Sequence, residues 1–305
     1  MSSLPAFGEP RPGDPAFGRA VLTSPAFGQA DMTNCEREPI HLAGAVQSHG
    51  LLLVLREPDL VVLQASANTA VMCGRAAEEL IGQPVARLGG DLAEQVRRQL
   101  PRVEGSAPAP LRIAVEIGGG RAGADSPLRR FEGAMHRPLP PGAGLVVELE
   151  PVDDDVPGIA PGLEVPASRL GATLAAAVQR ISAAPSVGVL ADAVAQVMRD
   201  LTGYDRVMVY RFDPDGHGMV MAEARDARLP PLLGHHYPAS DIPQQARALY
   251  LRHRVRMLVD VDAPPAPLLA SGLATPPLDM SMCALRAMSP IHLQYLRNMG
   301  VTGSM

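Results

Sequence analysis

The chain contains no lysine and no tryptophan in 305 residues. All 27 of its basic residues are arginines. A phosphate-loop lysine, a Schiff-base lysine and the strand lysine of protein kinases are thereby excluded. Aromatic residues make up only 3 % and the net charge is −5. Base-stacking platforms and a basic nucleic-acid face are both disfavoured. Cysteine is scarce: Cys35, Cys73 and Cys283, an odd number with no CxxC spacing. That argues against a disulfide framework and a structural zinc site. No basic n-region followed by an apolar stretch opens the chain, and runs such as Leu51–Leu55 are too short to span a bilayer. The expectation is a cytoplasmic protein with neither nucleic acid nor membrane as partner.

What is present is arginine, a planar bidentate donor suited to carboxylates and phosphates, and abundant proline (31) and glycine (29). The length suggests two domains. Residues 1–34 read as a disordered tail, in which Pro-Ala-Phe-Gly recurs at Pro5–Gly8, Pro15–Gly18 and Pro25–Gly28. A ten-residue unit of this composition buries no face of its own.

From 35 to 150 the pattern is strand (Gly50–Leu55), turn, strand (Val61–Ser66), a helical middle (Thr69–Leu80, Val85–Leu88, Leu92–Leu100), then strands at Leu111–Ile117, Arg129–His136 and Gly144–Glu150. This order resembles a PAS-type module. Residues 151–167 form an acidic, proline-rich linker. The segment 168–305 begins with a helix capped by Ser168 and another from Ser186 to Leu201. Strands are expected at Arg206–Phe212, Gly218–Arg225 and Arg256–Val261, with helices at Ile242–Arg252 and Ser289–Met299 and a Pro-rich excursion over Pro264–Pro277. That order resembles a GAF module. A further strand is expected where the sequence stops at Met305, so the second module reads as incomplete at its C-terminal end.

Three stretches carry candidate chemistry. Cys35 lies in Cys35-Glu-Arg-Glu-Pro-Ile-His41, ahead of the first strand. It reads equally as an incidental thiol or as a nucleophile able to reach an electrophile held elsewhere. Asp241 lies in the stiff loop Tyr237-Pro-Ala-Ser-Asp-Ile-Pro243. Capping of the following helix is the simpler reading; a rigid carbonyl for pyrrole N–H groups is the other. Arg286, Ser289, His292 and Tyr295 gather at a helix start with Pro290 at its first position, a setting that favours anions. With Arg256, they read as a site for two carboxylates, against the simpler alternative of surface ion pairing.

These motifs resemble the photosensory region of bacteriophytochromes, red/far-red photoreceptors that bind biliverdin. The likeness is carried by Cys35–His41, Tyr204–Phe212, Pro238–Pro243 and Ser289–Gly300, and covers residues 35–305. It implies an α+β protein of two antiparallel-sheet modules, PAS then GAF, with flanking helices. A figure-of-eight knot would join them, the Arg256–Ala287 excursion being the lasso around the segment after Cys35.

The resemblance further implies that Cys35 forms a thioether with the linear tetrapyrrole biliverdin IXα. Asp241, Ile242 and Pro243 would present backbone to the pyrroles, with His292 nearby. Arg256, Arg286, Tyr250 and Ser289 would hold the propionates. Met208, Tyr210, Tyr237 and Tyr295 would line ring D. Plant and cyanobacterial relatives attach the pigment at a cysteine where this chain has Ile291. Cys283 is a candidate second thiol, with a buried inert role the simpler reading. A homodimer and a downstream PHY, histidine-kinase and response-regulator output would be the partners, and this segment would not itself be an enzyme. The competing readings are a PAS/GAF sensor of a nucleotide or haem, and a thiol enzyme using Cys35, His292 and Asp241. Neither a glycine-rich phosphate cradle nor an oxyanion hole accompanies them.

Overall fold

The computed structural model describes residues 25–31, 34–103, 111–118, 128–138, 142–152, 167–272 and 276–305. The first two Pro-Ala-Phe-Gly repeats and most of the acidic linker lie outside the described residues. The chain divides into two compact units, one of Met1–Asp153 with Gln244–Met305, the other of Asp154–Pro243.

The first unit is built on a seven-stranded antiparallel sheet. Its strands are β1 (Ala45–Val46), β2 (Leu51–Leu55), β3 (Val62–Ser66), β4 (Leu111–Gly118), β5 (Leu128–His136), β6 (Leu145–Pro151) and β10 (Ala266–Ala270). Their spatial order is β1-β10-β3-β2-β6-β5-β4. All five residues of β2 are buried, because the sheet is covered on both faces. Leu51, Leu53 and Leu55 face one apolar cluster; Leu52 and Val54 face another that contains Leu278, Met280 and Leu285.

The first cluster is closed by short helices. The expected single helix over 69–80 is two pieces, α1 (Thr69–Cys73) and α2 (Ala77–Leu80). Gly74 separates them at φ 71°, its N–H on the Ala70 carbonyl, a left-handed stop that glycine accepts without strain. The amphipathic α3 (Leu92–Gln99) buries Leu92, Ala93 and Val96.

Two expectations after residue 252 are corrected. The strand expected over Arg256–Val261 is a single bridge, Leu258 to Ser304. The Gln47 side chain occupies that backbone instead: its Nε2 donates to Met257 O at 2.8 Å and its Oε1 accepts from Val259 N at 3.2 Å. The excursion expected to be irregular contains β10, which pairs with both β1 and β3. Pro267 stands inside this strand, between two neighbours, where a sheet tolerates proline least well, and Pro264 and Pro265 precede it, so the local pattern does not read as a strand.

The second unit holds α4 (Ala167–Ser182), α5 (Val187–Thr202) and a three-stranded sheet of β7 (Arg206–Phe212), β8 (Gly218–Arg225) and β9 (His236–Tyr237). Helix α4 starts one residue before Ser168, so Ser168 is not its cap. Ser186 does cap α5, accepting from Val189 N, and Gly203 ends it at φ 73°. Strand β8 alternates buried and half-buried residues. Its Ala222 and Ala224 meet Ala191 and Ala195 of α5.

Candidate functional site

The expected site residues fall into two groups, one in each unit. In the first unit, residues 41–47 run between two backbone walls. On one side Leu268 N donates to Gly44 O at 2.8 Å. On the other, Met280 N donates to His41 O (2.8 Å), Gln47 N to Leu285 O (2.7 Å) and Ala287 N to Ala45 O (2.9 Å). Cys35 opens a short 3-10 turn, Cys35–Arg37, just ahead of this segment, and is half-exposed. Gln245, on α6 (Gln244–Arg252), donates to the Cys35 carbonyl at 2.5 Å.

Arg256 and Arg286 are not surface arginines. Arg286 is buried and donates to Ile40 O at 2.5 Å. Arg256 donates to Ala284 O at 2.8 Å and to the Arg286 carbonyl. Burial lowers the pKa of both guanidiniums, and for Arg256 the Arg286 charge lowers it further. The Nε atoms of both are buried without a partner among the described residues. Opposed to them is one carboxylate, Glu148 on β6, itself buried, which accepts from Leu285 N (2.7 Å) and Ala284 N (3.0 Å). A buried and a half-buried guanidinium with two buried N–H donors unspent suit an anionic ligand such as a carboxylate.

Helix α7 (Pro290–Asn298) carries His292 and Tyr295 three residues apart on one face. Burial, then the Arg256 charge, holds the His292 imidazole below its usual pKa, so the neutral ring is favoured. Ser289 occupies the cap position of α7 yet makes no capping bond. Its hydroxyl donates instead to Glu38 Oε2 at 2.6 Å. Tyr250, on α6, and Tyr295 are both partly exposed.

In the second unit, Met208 and Tyr210 lie on β7 and Tyr237 on β9. The Tyr210 ring stands 6.1 Å from that of Tyr237 and 5.1 Å, edge-on, from that of Phe212. Gly218 makes room for it: a Cβ there would meet the Tyr210 ring at 2.3 Å. Asp241 ends a 3-10 turn, Ala239–Asp241, and is not the cap of α6, which starts only at Gln244. Pro243 forces Ile242 into extended backbone (φ −126°, ψ 89°) and delays the helix.

Sequence reasoning passed over Glu38, Gln47 and Glu148. The last carried a signal: a glutamate between Val147 and Leu149 in a strand buried on both faces must be held by something. Cys283 is buried, 3.9 Å from His136 Nε2, and burial keeps its thiol well above the usual pKa. Among the described residues, no group of three or more His, Cys, Asp or Glu side chains is placed to hold a metal ion, and no helix is long and apolar enough to cross a membrane.

A family model described as "PAS fold" matches residues 35–152. Residues 35–152 of the first unit thus have the PAS fold. The chain is 39 % identical to the chromophore-binding domain of Stigmatella aurantiaca phytochrome P1, with a TM-score of 0.73 over 88 % of this chain and 84 % of that one. The chromophore-binding domain of an unusual bacteriophytochrome from R. palustris gives 34 % and 0.74, covering 88 % and 82 %. A bacteriophytochrome of Xanthomonas campestris pv. campestris is 40 % identical over 90 % of this chain and 40 % of its own length. Cyanobacterial phytochrome B of Nostoc sp. is 35 % identical over 90 % of this chain and 35 % of its own. The chain belongs to the phytochrome family. It spans less than half the length of these curated relatives.

Proposed function

We propose that this chain is the bilin-binding sensory part of a red/far-red light receptor, with biliverdin attached covalently to Cys35. The observations that carry the reading are a half-exposed thiol in the segment leading to residues 41–47 and two arginines, Arg256 and Arg286, whose Nε–H groups are buried with no partner among the described residues, Arg286 also donating to Ile40 O of that segment. When bound, the tetrapyrrole supplies light absorption and rotation about a double bond. The chain's residues do the rest. Arg256 and Arg286 hold the propionates, assisted by Tyr250 and Ser289. Asp241, Ile242 and Pro243 present rigid backbone to the pyrroles, and neutral His292 accepts or relays a hydrogen bond. Met208, Tyr210, Tyr237 and Tyr295 confine ring D and exclude water.

In this reading the PAS domain is 35–150, the linker 151–167 and the GAF domain 168–305, with the 256–287 excursion as the lasso around residues 40–47. The protein works in the cytoplasm, without enzymatic turnover in this segment. It forms a homodimer through α4 and α5, where Leu174, Val178 and Leu190 are exposed, and passes its signal to an output module such as a histidine kinase. The test is addition of biliverdin to the purified chain. A red-absorbing adduct that survives denaturation is expected. A folded chain that takes up no bilin, yet binds a nucleotide or haem, overturns the reading in favour of a small-molecule sensor.

A further inference from the structure

The last repeat, Pro25–Gly28, is docked on the first unit. Gln29 N donates to Ala26 O at 3.0 Å and Gly28 has φ 79°, the pattern of a turn that requires glycine at its third position. The turn projects Phe27 against the apolar cluster that includes Ala43, Met280 and Ala287. It also aims the Gly28 N–H at Glu38 Oε1, 2.7 Å away. Apart from the closing Gln29 N–H, a backbone donor that any residue there supplies, the features of this contact belong to the Pro-Ala-Phe-Gly unit: the aromatic ring, the left-handed glycine and its N–H. The same four residues recur, in the same order, at Pro5–Gly8 and Pro15–Gly18.

We propose that the surface formed by Glu38 and the Phe27 pocket is a binding site for the Pro-Ala-Phe-Gly turn as such, and that the three repeats are interchangeable occupants of it. Docking Phe17 in place of Phe27 adds ten residues to the connection leading to Cys35. Closure entropy grows only with the logarithm of loop length, so the exchange weakens docking by only about fourfold. The site therefore tethers the Cys35 segment redundantly: loss of one repeat is covered by another.

The test places 4-fluorophenylalanine at position 17 of the full chain and follows it by fluorine NMR. In the Phe27→Ala background the position-17 resonance moves to the shift that a label at position 27 shows in the parent chain. Adding Glu38→Ala to that background reverses the move. Thermal unfolding reports the same logic: Phe27→Ala lowers stability less than Phe7→Ala, Phe17→Ala and Phe27→Ala combined. A position-17 resonance unmoved by Phe27→Ala overturns the proposal, as does a move that scales with protein concentration, which would assign the docking to a second copy.

Discussion

The Ser289 hydroxyl donates to Glu38 Oε2 at 2.6 Å although Ser289 stands at the cap of α7. The other Glu38 oxygen accepts from Gly28 N at 2.7 Å. One buried carboxylate thus binds the approach to Cys35, the helix bearing His292 and the docked repeat. Its charge also lies at the positive end of α7.

Removing Glu38 leaves two donors without their acceptor. Glu38→Ala is expected to cost about 1.5–3 kcal/mol, the range for hydrogen bonds to a charged group. Glu38→Gln keeps an acceptor oxygen and costs less. Urea unfolding of the two variants measures both. Equal losses would mean that a single neutral acceptor oxygen contributes nothing and that the charge with the second oxygen carries the whole effect.

The two thiols considered for attachment sit in opposite settings. Cys35 is half-exposed, whereas Cys283 is buried and kept protonated. Only a thiolate adds readily to an electrophile. Cys35→Ala is expected to abolish covalent bilin, read as zinc-induced fluorescence on a denaturing gel, and Cys283→Ala to leave it in place. A full covalent signal from Cys35→Ala would move the attachment elsewhere.

Arg256 and Arg286 should separate folding from binding. Arg256 bonds the carbonyls of Cys283, Ala284 and Arg286, while the Arg286 bond to protein is to Ile40. Arg256→Ala is therefore expected to lower the Tm of the bilin-free chain more than Arg286→Ala does. Arg286→Ala is expected to weaken bilin binding by about 1.5–3 kcal/mol, and lysine should restore little, since it cannot fork. Bilin titrations unchanged by either substitution would remove the carboxylate site.

The elements read most directly from the sequence are those whose burial is periodic or continuous. Strands β2, β3, β5, β6, β7 and β8 and helix α5 lie within a residue or two of expectation. The departures have two causes, local stops at proline and glycine and tertiary contacts that override local signal. Pro243 moved the start of α6; Gly74 split a helix; Gln47 took the place of a strand neighbour beside 257–259. The Pro-rich stretch became β10 because β1 and β3 offered it edges on both sides. For the candidate site, the motifs marked the chemistry-bearing residues. The carboxylates Glu38 and Glu148 were not singled out, because Ser289, for the one, and Ala284 and Leu285, for the other, lie more than a hundred residues away in sequence.

Glu148 and His136 act on stability in opposite directions as pH changes. Glu148 on β6 stands diagonally from His136 on β5, since Ala134 pairs with Glu148 and His136 with Val146. Both are buried in the same sheet. Burial raises the Glu148 carboxyl from 4.5 to about 7. The folded chain then holds a proton that the unfolded chain releases, so this contribution to stability is present below pH 4.5 and is lost as pH rises to about 7. Burial, then the His253 charge, lowers the His136 imidazole from 6.5 to about 4. Here the unfolded chain takes up the proton first, so this contribution is present above pH 6.5 and is lost as pH falls to about 4. Each amounts to roughly 3 kcal/mol at full scale. Between pH 4.5 and 6.5 the two slopes oppose and nearly cancel. Glu148→Gln removes one slope while leaving an acceptor for Leu285. The variant is expected to gain stability steadily as pH rises through that window, where the parent chain is nearly flat. The opposite variant, His136→Gln, is expected to lose stability across it. Urea unfolding at a series of pH values measures both, and subtracting the parent curve cancels the contribution of every distant group. Parallel curves for Glu148→Gln and the parent would show that this carboxyl holds its proton equally in the folded and unfolded chain, the two backbone N–H groups alone being enough to keep it ionised.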